Sequence, residues 1–237
     1  DRVTDVPTVA QAGRSLNYAM RAFASASDAT VNAGDYVVLE FTVEGYDYQD
    51  LNSQPQHISF WAKSNTTGTY CLTIRNAGVA GVPDRSYVFE YTISVADTWE
   101  LKQLLLRDIP SGGTWDFTNG AGISLAWTLA AGVTFQTTAN AWQSGNFLAT
   151  SAQTNLAAAV NNYLNITDVR LTGGTVRSPV IVRSFHEILK EAQRRYFKTF
   201  PYGTKPAQAS GTFLGAIAAI SSSASTGIVN FSYPRMR

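Results

Sequence analysis

The stretch VVLEFTVE, residues 37–44, decides the fold class of this chain because its apolar side chains recur at every second position. Val37, Leu39, Phe41 and Val43 share one face of this stretch, and the alternate residues share the other face. A period of two is that of a β-strand, in which successive side chains point to opposite sides of the sheet. An Asn-Ala-Gly-Asp run at 32–35, typical of turns, ends two positions before the stretch begins. The stretch therefore predicts a half-buried strand.

The same alternation recurs along most of the chain, with Gly, Asn, Asp, Ser and Pro between the repeats. Further predicted strands cover residues 58–62, 70–74, 87–93, 101–106, 123–129 and 163–171. Several short strands at this spacing, without a helical period before residue 184, indicate an antiparallel sandwich. The predicted fold is all-β, and a jelly roll is the favoured sandwich because the domain is large and its loops are long.

One short amphipathic helix is predicted at 184–198. Ser184 and Glu187 have the spacing of a capping box, in which the serine caps the helix start and the glutamate reaches back to it. The apolar stripe has helical spacing and consists of Phe185, Ile188, Leu189, Ala192 and Tyr196. Because so short a helix is marginal alone, it is expected to pack on the sandwich or on its copies in an oligomer.

Four segments follow from these patterns. Residues 1–30 are predicted to form an N-terminal arm or first strand, 31–183 the jelly-roll sandwich, 184–198 the helix, and 199–237 the beginning of a small C-terminal β domain. The charge balance changes at the second boundary: 15 acidic and 11 basic residues precede position 184, whereas 2 acidic and 7 basic residues lie from there onward. The change supports a domain boundary near the helix.

Composition excludes several classes of protein. The chain has 237 residues, one cysteine and two histidines, which leaves no disulfide framework, cysteine zinc cluster or multi-histidine metal centre. No apolar run is long enough for a transmembrane helix, so membrane insertion is not expected. The chain begins at Asp1 without Met, which predicts a piece of a longer protein. No nucleotide motif, EF-hand spacing or catalytic triad is found, and His57 and His186 are interpreted as surface or edge residues. The prediction is a non-enzymatic protein without cofactor or metal.

Aromatic residues in polar surroundings are the candidate binding residues. Flat aromatic faces and short polar side chains together hold sugar rings, because the C–H faces stack and the hydroxyls need hydrogen-bond partners. Trp99 and Trp127 fit buried strand positions, whereas Trp61 is out of phase with Phe60 and is expected on the opposite face of its strand. The predicted glycan contacts are Trp142, Trp115, Tyr46 and Tyr48, with Asp47, Asp50 and Asn146 as hydrogen-bonding partners. The same aromatics also suit an oligomer interface.

Several strings together resemble the carbohydrate-binding-like jelly rolls of bacteriophage tail fibres and spikes. They are SFWAKS at 59–64, YTI at 91–93, DTWE at 97–100, LAWTLAAG at 125–132, DVRLTGG at 168–174, the helical run 187–198 and NFSYPRMR at 230–237. In that family the DVRLTGG strand closes the sandwich and a helix follows it. Ala192 stands where the family helix has cysteine. The resemblance implies a virion structural protein that contacts host surface polysaccharide, forms a homo-oligomer, expected to be a trimer, and contacts other virion proteins.

Three alternatives stay open at this point. A purely structural fibre or spike adaptor would use the aromatics for assembly without binding glycan. A polysaccharide depolymerase is disfavoured because no repeat-built solenoid and no acid pair can be recognised. Nucleic-acid binding is disfavoured because Lys190, Arg194, Arg195 and Lys198 lie on a helix face without interleaved base-stacking aromatics.

Overall fold

The structure, a computed structural model, describes residues 1–108, 110, 112–179 and 184–193. The strands are β1 (Arg2–Val3), β2 (Ala19–Phe23), β3 (Tyr36–Glu44), β4 (Gln56–Ser64), β5 (Gly68–Asn76), β6 (Arg85–Ile93), β7 (Glu100–Leu106), β8 (Ala121–Ala131), β9 (Trp142–Ser144) and β10 (Tyr163–Gly173). The helices are α1 (Val9–Ala12), α2 (Gly45–Tyr48) and α3 (Phe185–Gln193), with 3₁₀ turns at Val133–Phe135 and Leu156–Ala158.

The strands form two five-stranded antiparallel sheets. Sheet A has the order β1-β2-β10-β4-β7, and sheet B has the order β3-β8-β5-β6-β9. The pairs β5–β6, β4–β7, β3–β8 and β2–β10 are nested one outside the other along the chain and alternate between the sheets. This nesting is the connectivity of a jelly roll, and it confirms the predicted fold class.

The core lies between the two sheets and comes from the alternation of apolar residues. It includes Phe60 on β4, Leu72 on β5, Phe89 on β6 and Trp127 on β8, all buried. Trp61 packs instead in a separate cluster with Trp99 on the outside of sheet A, and this confirms that Phe60 and Trp61 face opposite sides of β4. Burying one face of each strand fixes the register, because a slip of one residue would move the apolar set to the other face.

The stretch that predicted the first long strand lies in β3, at the edge of sheet B. Leu39 and Val43 contact the core as expected, whereas Val37 and Phe41 are exposed. An edge strand has a neighbour on one side only, here β8, so its side chains are covered less well than those of a central strand.

The chain divides into two compact units, Asp1–Ser178 and Pro179–Arg237. Residues 1–30 contribute β1 and β2 to sheet A, with β2 paired to β10. In the second unit, α3 begins with the predicted capping box: the backbone N–H of Ser184 donates to Glu187 at 2.9 Å, and the N–H of Glu187 donates to the Ser184 hydroxyl. Residues 194–198 of the predicted helix and the predicted β domain at 199–237 lie outside the described residues.

Candidate functional site

A groove of about 430 Å³ lies on the outer face of sheet B. Its floor follows from small side chains on β8, the strand between β3 and β5. Ser124 pairs with Thr42 on one side and with Arg75 on the other, and all three point away from the core. Small residues at the centre with longer ones on both flanking strands make this face of the sheet concave.

The walls of the groove come from three parts of the sandwich. Tyr36 pairs with Ala131 near the end of β8, and the loop that follows β5 lies near the beginning of β8. The segment after β9 contributes Asn146. The lining residues are Tyr36, Glu40, Thr42, Arg75, Asn76, Ala77, Gly81, Val82, Pro83, Ala121, Ile123, Ser124 and Asn146.

A charged pair crosses the floor. The Arg75 side chain is almost completely buried, and its Nη2 donates to Oε1 of Glu40 at 2.8 Å. Its Nη1 donates to Oδ1 of Asn146 at 2.7 Å. Nε of Arg75 is buried and has no hydrogen-bond partner within the part of the chain that the structure describes. Arg75 therefore ties β3, β5 and the segment after β9 together and holds Glu40 at the groove surface.

The loop 77–83 is fixed at its base by Asn76. The Asn76 side-chain oxygen accepts from the backbone N–H groups of Asp84 and Arg85, both at 3.0 Å. Its amide donates to the Asp84 carboxylate at 2.5 Å and to the carbonyl of Thr114 at 2.9 Å. The hydrogen bond from Asn76 is the largest cause that holds the pKa of Asp84 below its ordinary value. This end of the groove is therefore built on a satisfied polar network.

Beyond the groove, the outer face of sheet B is covered by the segment 147–150. Leu148 and Ala149 are buried against Val88 and Ala126. The Leu148 carbonyl accepts from the hydroxyl of Thr73 at 2.9 Å and from that of Thr128. The covering segment is thus held to β5 and β8, and it comes directly after Asn146 of the groove wall.

Three of the seven predicted glycan contacts, Tyr48, Trp115 and Trp142, lie elsewhere, at one end of the sandwich. Together with Tyr87 they form an aromatic cluster. Tyr48 is fully buried and stacks on Trp115 with ring centroids 5.9 Å apart. Trp142 makes edge contacts with Trp115 and Tyr87 at 5.7 and 5.5 Å. Trp142 belongs to β9, not to a loop. Packing of these rings on the core is the role that the structure assigns to them.

The indole N–H groups of the cluster have backbone partners. Nε1 of Trp115 donates to the carbonyl of Gly112 at 2.7 Å, and Nε1 of Trp142 donates to that of Asp108 at 2.9 Å. Burial raises the pKa of the Tyr48 phenol, which accepts a hydrogen bond from Gln56 at 3.1 Å. The polar atoms of these three side chains are therefore already engaged within the protein.

The remaining predicted residues divide between two places. Tyr46, Asp47 and Asp50 are exposed in and just after α2, next to the aromatic cluster. Asn146 lines the groove. The structure therefore does not bring the seven predicted residues together, and a glycan contact at those that are exposed or partly exposed stays a prediction.

Tyr36, Glu40 and Arg75 are groove residues that sequence reasoning did not select. Glu40 and Thr42 belong to the polar face of the stretch 37–44, which lies in β3. Arg75 is a charged residue inside the otherwise uncharged run YCLTIRN at 70–76. A charged residue inside a strand needs a partner when it is buried. That signal points to Arg75, although nothing in the sequence identifies Glu40 as its partner.

Among the described residues, no cluster of three or more His, Cys, Asp or Glu side chains is placed to hold a metal ion. His57 was expected at the surface or an edge, and this was wrong: it is buried in β4, between β10 and β7. Among the helices of the described residues, none is both long enough and apolar enough to cross a membrane.

Comparisons with known proteins find solved structures that are similar at low sequence identity. No protein-family model and no curated protein matches the chain. An arabinose-bound MgGH51 α-L-arabinofuranosidase is 15% identical with a TM-score of 0.38, and the match covers 72% of this chain and 21% of the enzyme. A structure described as "CBM4 structure and function" is 13% identical with a TM-score of 0.33, and the match covers 72% and 91% of the two chains. The chain thus spans about a fifth of the arabinofuranosidase.

Proposed function

We propose that the protein is a non-catalytic glycan-binding module and that the groove on sheet B is its ligand site. The observation that carries the proposal is the combination of an exposed aromatic ring, Tyr36, with the fixed polar group of Glu40, Arg75 and Asn146 in one open groove. An open groove admits an internal stretch of a polymer as well as its end. Polysaccharide is therefore the substrate class that the shape favours.

The chemistry of the groove suits sugar hydroxyls, each of which both donates and accepts hydrogen bonds. Glu40 offers carboxylate oxygens as acceptors, while Thr42 and Ser124 offer hydroxyls that do both. Arg75 is already held by two partners, so its contacts would need no ordering of a long side chain on binding. Tyr36 supplies an aromatic face for the C–H side of a ring.

Absence of catalysis is part of the proposal. Hydrolysis of a glycosidic bond ordinarily uses two carboxyl groups at a defined separation. Among the described groove residues Glu40 is the one with a carboxyl group, and it is paired with Arg75. Incubation with polysaccharides that bind should therefore release no reducing sugar, and release would contradict this part of the proposal.

The biological setting that we propose is the surface of a bacteriophage particle, where a homo-oligomeric tail fibre or spike would contact host polysaccharide. The sequence resemblance supports this setting. Labelled protein should adsorb saturably to host cells and lose adsorption when their polysaccharide is removed. Unchanged adsorption to stripped cells would count against glycan as the receptor.

The site is tested by binding assays on immobilised bacterial polysaccharides with three variants. Tyr36→Ala and Glu40→Gln should each weaken binding about tenfold or more, because they remove a stacking face and an acceptor. Tyr46→Ala is the matched control, since Tyr46 is 47% exposed and Tyr36 is 45% exposed, but Tyr46 lies outside the groove. Loss of binding in Tyr46→Ala with normal binding in the other two would move the site to α2.

A structural adaptor is the second candidate, and one observation favours it. Phe41 and Val37 are exposed along β3, which among the described strands pairs on one side only, with β8. Apolar side chains on an open edge favour pairing with another copy. Light scattering of the wild type and of Phe41→Lys would test this, because dissociation by the substitution supports an assembly contact at β3.

A further inference from the structure

The outer face of sheet A, opposite to the groove, carries a cluster of three arginines around one carboxylate. We call it the arginine cluster: Arg14, Arg170 and Arg177 around Asp168. Asp168 lies at a bulge, where the β10–β4 register shifts, and has a positive φ of 52°. The bulge lets its carboxylate meet arginines from three different segments.

Hydrogen bonds from the arginines fill the Asp168 carboxylate. Its Oδ1 accepts from Nη2 of Arg14 and from Nε of Arg170 at 3.2 Å. Its Oδ2 accepts from Nη2 of Arg170 at 2.7 Å and from Nη2 of Arg177 at 3.1 Å. A carboxylate has about four lone-pair sites, so these four bonds use its capacity. The other N–H groups of the cluster need acceptors from elsewhere.

Among the described residues, the other acceptors that the arginines contact are neutral. Nε of Arg177 donates to the hydroxyl of Ser59, and Nη1 of Arg170 donates to the carbonyl of Ser178, both at 3.2 Å. Nε of Arg14 has no hydrogen-bond partner within the described residues. The cluster is therefore richer in donors than in acceptors.

In the part of the chain that the structure describes, Asp168 is the one carboxylate that forms ion pairs with these three arginines. Asp5, on the same face of sheet A, is already shared by Lys63 at 3.0 Å and Arg21 at 3.8 Å. Burial and the neighbouring Arg170 and Arg14 lower the pKa of Arg177, although Asp168 opposes this shift. Burial, and then the charge of Arg177, lower the pKa of His57. Burial is the largest cause of both shifts, and the part that comes from neighbouring arginines agrees with an excess of positive charge at this place.

Exposure determines what a ligand would meet. The Asp168 side chain is 2% exposed, whereas those of Arg14, Arg177 and Arg170 are 38%, 24% and 15% exposed. The negative group is thus covered, whereas each arginine side chain keeps part of its surface in solvent. Guanidinium forks match the geometry of carboxylate, phosphate and sulfate oxygens. We propose that the arginine cluster is a second binding site, which takes an oxyanion, either free or as an acidic substituent of a polymer.

The first experiment is calorimetric titration of the folded protein with sodium sulfate at constant ionic strength. Arg177→Gln should weaken the affinity for sulfate about tenfold or more, because it removes a charged donor that Asp168 does not fully occupy. Arg107→Gln, which removes an exposed arginine at the end of β7, is the matched control and should bind as the wild type does. Arg14→Gln repeats the test from a different segment if Arg177→Gln fails to fold.

Two results would overturn the proposal: no saturable heat in folded protein, or equal sulfate affinity in wild type, Arg177→Gln and Arg14→Gln. Thermal unfolding adds a check, since the general stabilisation by excluded sulfate is the same in all variants, whereas site binding stabilises the wild type more.

A second pair of titrations distinguishes the source of the anion. The affinities for a short polyuronate and for acetate are compared in the wild type and in Arg177→Gln. Tighter binding of the polyuronate in the wild type, with equal binding of the two ligands in Arg177→Gln, supports an acidic group carried by a polymer. Binding of sulfate or phosphate alone supports a free ion. Tyr36→Ala should bind sulfate as the wild type does. A failure of the glycan-site proposal for the groove can therefore be told apart from a failure of the oxyanion-site proposal for the arginine cluster.

Discussion

Replacing Asp168 by asparagine should destabilise the sandwich strongly although the two side chains have nearly the same shape. Asparagine tolerates the positive φ of 52°, so the substitution leaves backbone preference almost unchanged and removes the charge. Arg14, Arg170 and Arg177 would then face one another across a neutral amide. Removing one partner of a fully buried ion pair costs about 3–5 kcal/mol. Because these arginines are partly exposed, water screens them, and we expect about 2–4 kcal/mol.

The assay is urea unfolding followed by tryptophan fluorescence, at pH 7 and at a series of lower pH values. Burial opposes ionisation of Asp168, but hydrogen bonds from Arg170 and Arg14 outweigh it and lower its pKa. A lowered folded-state pKa gives stability that is present above the unfolded value of about 3.9 and is lost as pH falls through the folded value. The difference between wild type and Asp168→Asn should therefore shrink below about pH 4.

Asp97→Asn is the control for the backbone, because Asp97 also has a positive φ, of 55°, but is exposed. It should change the free energy of unfolding by less than about 1 kcal/mol. A loss below about 0.5 kcal/mol in Asp168→Asn, or a loss equal in both variants, would refute the electrostatic reasoning.

Three further predictions concern the core and its ends. Trp115→Ala should lower the free energy of unfolding, measured in urea, by about 3 kcal/mol, because it leaves a void against Tyr48. The control Tyr46→Ala should lower it by less than about 1 kcal/mol, and equal losses in the two variants would contradict the packing role of Trp115. Gly45→Ala should destabilise by more than about 2 kcal/mol, since its Cβ would lie 2.4 Å from a backbone oxygen, and a normal melting temperature would contradict this. Burial raises the pKa of the Cys71 thiol to about 11. At pH 8 the protein should therefore react with a thiol reagent only when it unfolds, and rapid labelling of the native protein would contradict the burial of Cys71.

The core was predictable from the sequence because it depends on local alternation. The phase difference between Phe60 and Trp61 alone predicts opposite faces of β4, and the structure places them there. The same local reasoning predicted loops around Trp115 and Trp142. Trp115 does lie between the strands, whereas Trp142 belongs to β9, and tertiary contacts with Tyr48 and Tyr87 leave both rings only partly exposed.

The groove could not be predicted because it depends on which strands become neighbours. Glu40 and Arg75 are 35 residues apart and meet only because β8 comes between β3 and β5. The depth of the groove depends on the small side chain of Ser124. Its position in the groove follows only from its two cross-strand partners, Thr42 and Arg75. Long-range register of this kind leaves no periodic signal in a single sequence.

The nested strand pairing of the jelly roll has a consequence for the order of folding. The innermost pair, β5–β6, is a hairpin that can form as soon as residue 93 is available. The outermost pair joins residues far apart in the chain, as Arg21 and Asn165 show with a separation of 144. Closing such long loops is entropically expensive, so folding should be slow and should proceed from the centre of the chain outward. During synthesis β2 must wait for β10, and until then the edge of β4 that β10 will cover is open to pairing with another chain.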